Sequence, residues 1–435
     1  MAKGKIADSL AAKGAAFVAA ARETHHINLG PGPELEKEWT DAGLELPDLD
    51  VVRQFRFDRT IEMLDEFGYD GVIVSDPMNI RYVSDSTNMQ LWIMHNASRF
   101  AWVGADRSMI VWEFYDCEFL PAHNHLVDEV RPAVTPTYYL AGPRYEEHAR
   151  NWAAEMLDVM REHVGSGIPR IAVDQLHYSS YKALEDAGVR IENGQQLMET
   201  AREIKSDEEI KAMRCAIHAC EASMAEMHEA LEPGMTEREL WSMLHAGNIK
   251  RGGEWIETQL LASGPRTVPW MQEASSRVIQ KGDIVAYDTD LVGPYGMMCD
   301  ISRTWVAGDV APTTEQDYLY NLSRDQLEHN AGLLQPGASF HDLSMQAKLP
   351  PVDEFLHYSV FFHGVGQCDE HPKIPLAHQW EEVGWDGYLE PGMVLTAESY
   401  VGRRTGGEGI KLEEQYLITD SGPEKLSSYP IDLVR

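Results

Sequence analysis

The chain has 435 residues, 43% of them hydrophobic, which is enough for two or three domains with sizeable cores and excludes global disorder. Lys and Arg number 37 against 70 Asp and Glu, and the resulting net charge of −33 argues against a nucleic-acid backbone or an anionic membrane as main partner. Cys117, Cys215, Cys220, Cys299 and Cys368 form no CxxC, so a reducing, cytoplasmic setting is expected rather than a disulfide scaffold or a structural zinc knot.

In chain order, the first 22 residues are Ala-rich and carry Lys3, Lys5, Lys13 and Arg22. Lys13 spoils a signal peptide, and an N-terminal arm is expected. No run reaches the roughly 18 apolar residues that a membrane span requires. Residues 55–68 have Phe57, Ile61, Met63, Leu64 and Phe67 near one helical face, with Gly68 as a stop. Strand-like stretches follow at 69–76, 79–85, 99–106 and 108–114. Residues 121–144 read as irregular or partly helical, 151–164 as a helix, 170–176 as a strand and 178–188 as a helix. Residues 1–203 therefore read as an arm and one α/β domain, and 204–435 as a second domain.

The second domain opens with Ser206 and Glu209, a capping box for a long helix to about Leu231. Pro233 and Gly234 break it, and Thr236 with Glu239 caps the next helix. Segments 255–264, 283–291 and 297–306 read as strands, 314–333 and 340–349 as helices, and 391–401 and 409–422 as strand–turn units.

The strands carry unusual acids. Asp288 and Asp290 are two residues apart, so on an extended strand they share a side. Gly293, Pro294 and Gly296 make a tight return that brings Asp300 across from them. Carboxylates crowded this way repel one another unless a cation lies between them. His363 follows an aromatic run, and Gly364 and Gly366 permit close backbone approach. Glu398 and Glu413 each sit within an apolar strand, where an unpaired charge is costly. Glu414 is expected on the opposite face. Together the set points to a dinuclear site of mixed nitrogen and oxygen ligands for divalent cations.

The ordered series RTIEMLDEFGYDGVIVSDPMNIRYVS, LASGPRTVPW, KGDIVAYDTD, MMCDISRTW, FFHGVG, LEPGMVLTAES and GIKLEEQYLIT resembles the creatinase, prolidase and aminopeptidase family. The resemblance implies a two-domain α/β fold, with a creatinase/prolidase-like N-terminal domain followed by a pita-bread catalytic domain. It implies metal ligands at Asp288, Asp300, His363, Glu398 and Glu413. All five are present, which disfavours the metal-free, creatine-hydrolysing branch. Peptidases of the family carry a histidine where this chain has Trp270, and a second histidine where it has Glu370, with His371 one residue late. Asp290 stands where the family has glycine.

These departures resemble the dimethylsulfoniopropionate lyases built on the same fold. That likeness implies Asp290 as a sixth metal ligand, Asp369 as the base and Tyr358 as a substrate contact. Trp270 is a second expected aromatic contact, because a sulfonium has no donor proton and is attracted to ring faces. The implied substrate is a small zwitterionic sulfonium, the implied assembly a homodimer, and the favoured metal iron, with zinc, manganese and cobalt as alternatives. The alternative function is an Xaa-Pro dipeptidase or aminopeptidase, which shares the five-ligand core.

Overall fold

The computed structural model describes residues 30–165 and 167–433, so the expected arm over the first 22 residues lies outside the described residues. The chain divides into two compact units. One spans Asp48–Arg202, and the other joins Gly30–Pro47 to Glu203–Arg435. Residues 30–47, which precede the first unit in sequence, thus group with the second.

The first unit is a mixed six-stranded sheet in the order β4-β3-β2-β1-β5-β6. Its strands are β1 (Gly71–Val74), β2 (Phe100–Gly104), β3 (Met109–Glu113), β4 (Glu129–Pro132), β5 (Arg170–Val173) and β6 (Arg190–Asn193). β1 is apolar throughout because both its faces are covered. Val72 and Val74 pack with Phe57, Leu64 and Leu197 on one face. Ile73, between them, packs with Trp102, Trp152 and Ile171 on the other.

Three local expectations change. The helix expected at 55–68 starts earlier, at Leu49, because Asp48 caps it; Gly68, at φ 66°, ends it as expected. Residues 79–85, expected as a strand for their Ile, Tyr and Val, fold as part of the helix Pro77–Ser84. The Asp76 carboxylate accepts the Met78 and Asn79 N–H groups at 2.8 and 3.3 Å, and Pro77 takes the first turn, so an N-cap outweighs strand propensity. The stretch 121–144, expected as irregular or partly helical, holds the strand β4 besides the short helix Tyr138–Ala141.

In the second unit both expected capping boxes form, at Ser206–Glu209 and Thr236–Glu239, and start the helices Asp207–Ala230 and Glu237–Lys250. Twelve strands follow: β7 (Trp255–Ile256), β8 (Leu261–Ser263), β9 (Ile284–Asp288), β10 (Leu291–Val292), β11 (Met298–Cys299), β12 (Ser302–Val306), β13 (Phe355–Leu356), β14 (His363–Val365), β15 (Asp369–Lys373), β16 (Val394–Arg403), β17 (Gly409–Thr419) and β18 (Gly422–Lys425). They pair as β11-β10-β7, β12-β9-β8 and β15-β14-β16-β17-β18, with β13 on β16. The helices Thr314–Ala331 and Phe340–Gln346 supply Leu319, Leu327, Phe340 and Leu343 to a core shared with Leu395, Val401, Ile410 and Leu412 of β16 and β17. Among the described residues no helix is long and apolar enough to cross a membrane.

Candidate metal centre

Strand register brings the expected residues together. On β16 and β17, Glu398 pairs directly with Glu413. Asp288 ends β9 opposite Ser302, the first residue of β12. β10 and β11 pair Leu291 with Cys299, so Asp290 and Asp300 flank the two ends of one small hairpin. The Thr289 hydroxyl donates to the Cys299 carbonyl at 3.0 Å and accepts the Ile301 N–H at 3.0 Å, tying both aspartate segments side by side.

Asp288 and Asp290 do converge, but not as an extended pair. β9 stops at Asp288, and Asp290 takes φ 39°, a left-handed conformation in which a non-glycine residue is strained. Thr258 donates its hydroxyl to the Asp290 carboxylate and holds it. His363 opens β14, where a Cβ at Gly364 would meet the His371 carbonyl oxygen at 2.4 Å. The close backbone approach read at that glycine is therefore real.

Two groups of ligand atoms result, Asp300–His363–Glu413 and Asp288–Asp290–Asp300, each with its atoms within 4.8 Å of one another. Asp300 is common to both, which is the arrangement of a dinuclear centre. His363 Nε2 lies 3.4 Å from Asp300 Oδ2, 3.5 Å from Glu398 Oε1 and 3.6 Å from Glu413 Oε1. Those gaps are long for hydrogen bonds. They match the edges, about 3 to 3.5 Å, of a coordination polyhedron with ligand distances of about 2.1 Å. Asp300 Oδ1, Glu398 Oε1 and Glu413 Oε1 are buried with no hydrogen-bond partner in the described residues. Buried carboxylate oxygens are rarely left so, and the donor set fits hard or borderline divalent cations.

The outer oxygens are held by a residue that the sequence reading missed. Lys411, fully buried, places Nζ 2.7 Å from Glu413 Oε2, 2.9 Å from Glu398 Oε2 and 3.2 Å from Asp288 Oδ2. It also donates to Ser302 Oγ at 2.7 Å. Its signal was present: Lys411 lies two residues before Glu413 on β17 and shares its face. Glu414 points the other way, as expected, and pairs with Arg303 at 3.1 Å.

The electrostatics reflect this crowding. Burial, then Glu413, pushes the Asp288 carboxyl up to about 6, against the pull of Lys411. Burial lifts Asp290 and Asp300 well above the usual carboxylate range, with neighbouring acids adding to it. Burial raises Glu398 to about 8. Glu413 is the exception. Burial would raise it, but Lys411 and His363 outweigh burial and hold it low. Burial opposes a charge on His363, yet Asp369, Glu413 and Glu398 raise it to about 10.

Asp369 belongs to neither ligand group. It opens β15, and its Oδ1 lies 3.6 Å from His363 Nδ1, on the ring edge away from the carboxylate ring. Its side chain is 53% exposed, so it faces both the centre and solvent. Desolvation raises its carboxyl, opposed by His363. Tyr358 borders the site: its hydroxyl donates to Met271 Sδ at 3.4 Å, and its ring centroid lies 5.0 Å from Lys411 Nζ. Trp270 is 6% exposed, stacks on Tyr400 with centroids 6.0 Å apart, and has Lys411 Nζ 5.9 Å from its ring centroid, so it lies beside the site. Glu370, at the place of the family's second histidine, is buried 3.1 Å from Lys205.

A two-domain chain with these ligand strands matches the profile of metallopeptidase family M24 over residues 211–420, and the chain belongs to that family. Within it, the chain is 44% identical to a dimethylsulfoniopropionate lyase, DddP, of Roseovarius nubinhibens, covering 94% of this chain and 93% of the relative. It is 39% identical to the DddP of Roseobacter denitrificans over the same shares of both chains. The fold also matches the X-Pro aminopeptidase of Thermotoga maritima, with TM-score 0.70, 18% identity and coverage of 87% of this chain and 99% of that one. An Xaa-Pro dipeptidase of Bacillus anthracis matches with TM-score 0.69, 22% identity and coverage of 87% and 98%. The pita-bread architecture expected from the motifs is thereby established.

Proposed function

We propose that this protein is a metal-dependent lyase that cleaves dimethylsulfoniopropionate to dimethyl sulfide and acrylate. The observation that carries this reading is the 44% identity, over 94% of the chain, to a relative named for that reaction. Asp288, Asp290, Asp300, His363, Glu398 and Glu413 would hold two divalent ions. Iron is favoured, with zinc, manganese and cobalt as alternatives that carboxylates and one histidine also accept. Bound to the substrate carboxylate, the ions would supply Lewis-acid stabilisation of charge developing on its oxygens.

The chain's own residues do the rest. Asp369, as carboxylate, accepts the proton alpha to the substrate carboxylate. The C–H electron pair becomes the carbon–carbon double bond. The bond from the beta carbon to sulfur breaks, its electron pair stays on sulfur, and neutral dimethyl sulfide leaves. Asp369 then releases its proton through its solvent-exposed side. Its raised carboxyl suits a base better than an ordinary aspartate near about 4. Tyr358 would offer its ring to the sulfonium, with Trp270 as a second aromatic contact. The negative surroundings of Asp290 and Asp369 favour a cationic end near the base.

Incubation of the metal-loaded chain with dimethylsulfoniopropionate, followed by gas chromatography, should release dimethyl sulfide. No release in any of the four metals sinks the proposal. The second reading, an Xaa-Pro peptidase, shares the ligand core. It predicts free amino acid from Xaa-Pro peptides at rates above any lyase turnover. The same proposal includes a cytoplasmic homodimer, supported by free cysteines and by exposed Leu91, Met94, Tyr138 and Tyr139 on the first unit. Light scattering should read twice the chain mass.

A further inference from the structure

We propose that the segment Gly30–Pro47 is a clamp on the metal centre, with Trp39 and Tyr295 as positioning residues for Asp290 and Asp300. This rests on the metal reading above.

The hairpin of β10 and β11 carries Asp290 immediately before its first strand and Asp300 immediately after its second. It is only two pairs long, Leu291 with Cys299 and Val292 with Met298. So short a ladder leaves the placing of the two aspartates dependent on the contacts around the hairpin, those at its tip included. The tip is Gly293–Met297, closed by the Gly293 N–H on the Met297 carbonyl at 2.9 Å. Within it Tyr295 takes φ 62° and ψ 11°, a left-handed conformation unfavourable for a residue with a Cβ. Such a conformation persists only where its surroundings over-determine it.

Here the surroundings are the segment 30–47. Trp39 is wholly buried, and its ring meets that of Tyr295 edge-on, with centroids 5.9 Å apart at 61°. Gly30 comes so close that a Cβ there would lie 3.4 Å from Tyr295 Cε1. The segment is itself fastened at both ends. Pro31 Cα lies 2.9 Å from where a Cβ on Gly252 would stand. Beyond Trp39, the Glu45 carbonyl accepts from Cys215 Sγ at 3.9 Å, and its carboxylate pairs with Lys211 at 3.1 Å. Both partners lie on the helix Asp207–Ala230.

The hairpin is held from other sides as well. Ala216 of the same helix would lie 2.9 Å from a Cβ on Gly293, and the Met298 N–H donates to the Gly366 carbonyl at 2.7 Å. That last bond joins the hairpin to the loop between His363 and Asp369. The clamp, the tip and the ligand loop thus form one contiguous packed chain. Trp39 touches no ligand; it acts through Tyr295 on the spacing of two.

The test uses the full chain, freed of metal by chelation and titrated calorimetrically with Mn²⁺ alone. Wild type should bind Mn²⁺. Trp39→Ala should weaken the weaker Mn²⁺ site tenfold or more, and Trp39→Phe should restore most of the loss. Tyr295→Gly removes the ring and relieves the backbone at once, so strain relief offsets part of the lost packing, and it should weaken Mn²⁺ binding while the chain still melts cooperatively. That variant decides the matter if Trp39→Ala fails to fold. Wild-type Mn²⁺ affinity in folded Trp39→Ala or in Tyr295→Gly overturns the clamp. Absence of Mn²⁺ binding by wild type overturns the metal reading instead, and the clamp with it.

Discussion

Lys411 Nζ lies 2.7 Å from Oε2 of Glu413, two residues along the same strand, while Oε1 of Glu413 faces His363 Nε2 at 3.6 Å. One carboxylate is therefore oriented by a buried ammonium on its outer side and left free on its inner side. Glu398 repeats the pattern, with Oε2 at 2.9 Å from Lys411 and Oε1 at 3.5 Å from His363. Lys411→Met should leave Glu398 Oε2 without its ammonium and Glu413 Oε2 with the Ser302 hydroxyl at 2.7 Å in place of both donors, and weaken metal binding about 10- to 100-fold, as loss of such supporting groups does. Lys411→Arg keeps the charge and should recover part of it. Metal titration of the two variants checks this.

Asp369→Asn preserves size and removes the proposed base. Turnover should fall by about 100-fold or more, with metal content unchanged by emission spectroscopy. The pH profile carries the sign. A base works only when ionised, so kcat/KM should fall as pH drops through its pKa. Because that pKa is raised by burial, the acid limb should lie above the ordinary aspartate value of about 4. Near-full activity in Asp369→Ala would transfer the role to Glu370 or His371.

Asp290 should behave differently. Its φ of 39° suits glycine, so Asp290→Gly should raise the melting temperature of the metal-free chain. Left-handed strain costs about 1–2 kcal/mol, and removing a carboxylate also relieves repulsion from Asp288. Metal occupancy and lyase turnover should fall together. A variant both less stable and fully metallated would contradict this reading.

Lys205 and Glu370 form a buried pair at 3.1 Å, with both residues almost wholly enclosed. Lys205→Met removes the buried ammonium from Glu370, which still accepts the Gln367 N–H at 2.9 Å, and should destabilise the chain by about 3–5 kcal/mol in urea unfolding. The double variant with Glu370→Met should regain most of that, since removing both partners avoids an orphaned charge.

Much of the candidate centre was legible in sequence because Asp288, His363, Glu398 and Glu413 sit on strands, and Asp290 and Asp300 flank a short hairpin. Period two forces Glu413 and Glu414 to opposite faces, and an acid in an apolar strand is conspicuous. The capping boxes at Ser206 and Thr236 were equally readable, since their chemistry is local. Residues 79–85 were not. Their Ile, Tyr and Val suggest a strand, but the Asp76 cap and Pro77 start a helix there. The packing of Trp270 on Tyr400 was not legible either, because it joins residues far apart in the chain.

By itself the sequence singled out the side chains proposed to carry the chemistry: the acids at 288, 290, 300, 398 and 413, the histidine at 363 and the aspartate at 369. It also determined the helix starts at Ser206 and Thr236 and the turn at Gly293–Gly296, because those rest on residues within a few positions of one another. Only the tertiary structure decided that Lys411 lies behind three of the ligands, that Glu370 pairs with Lys205, and that Trp39 packs on Tyr295. Each of these joins residues from separate elements. Side-chain periodicity determines which face a residue takes, but not what packs against that face.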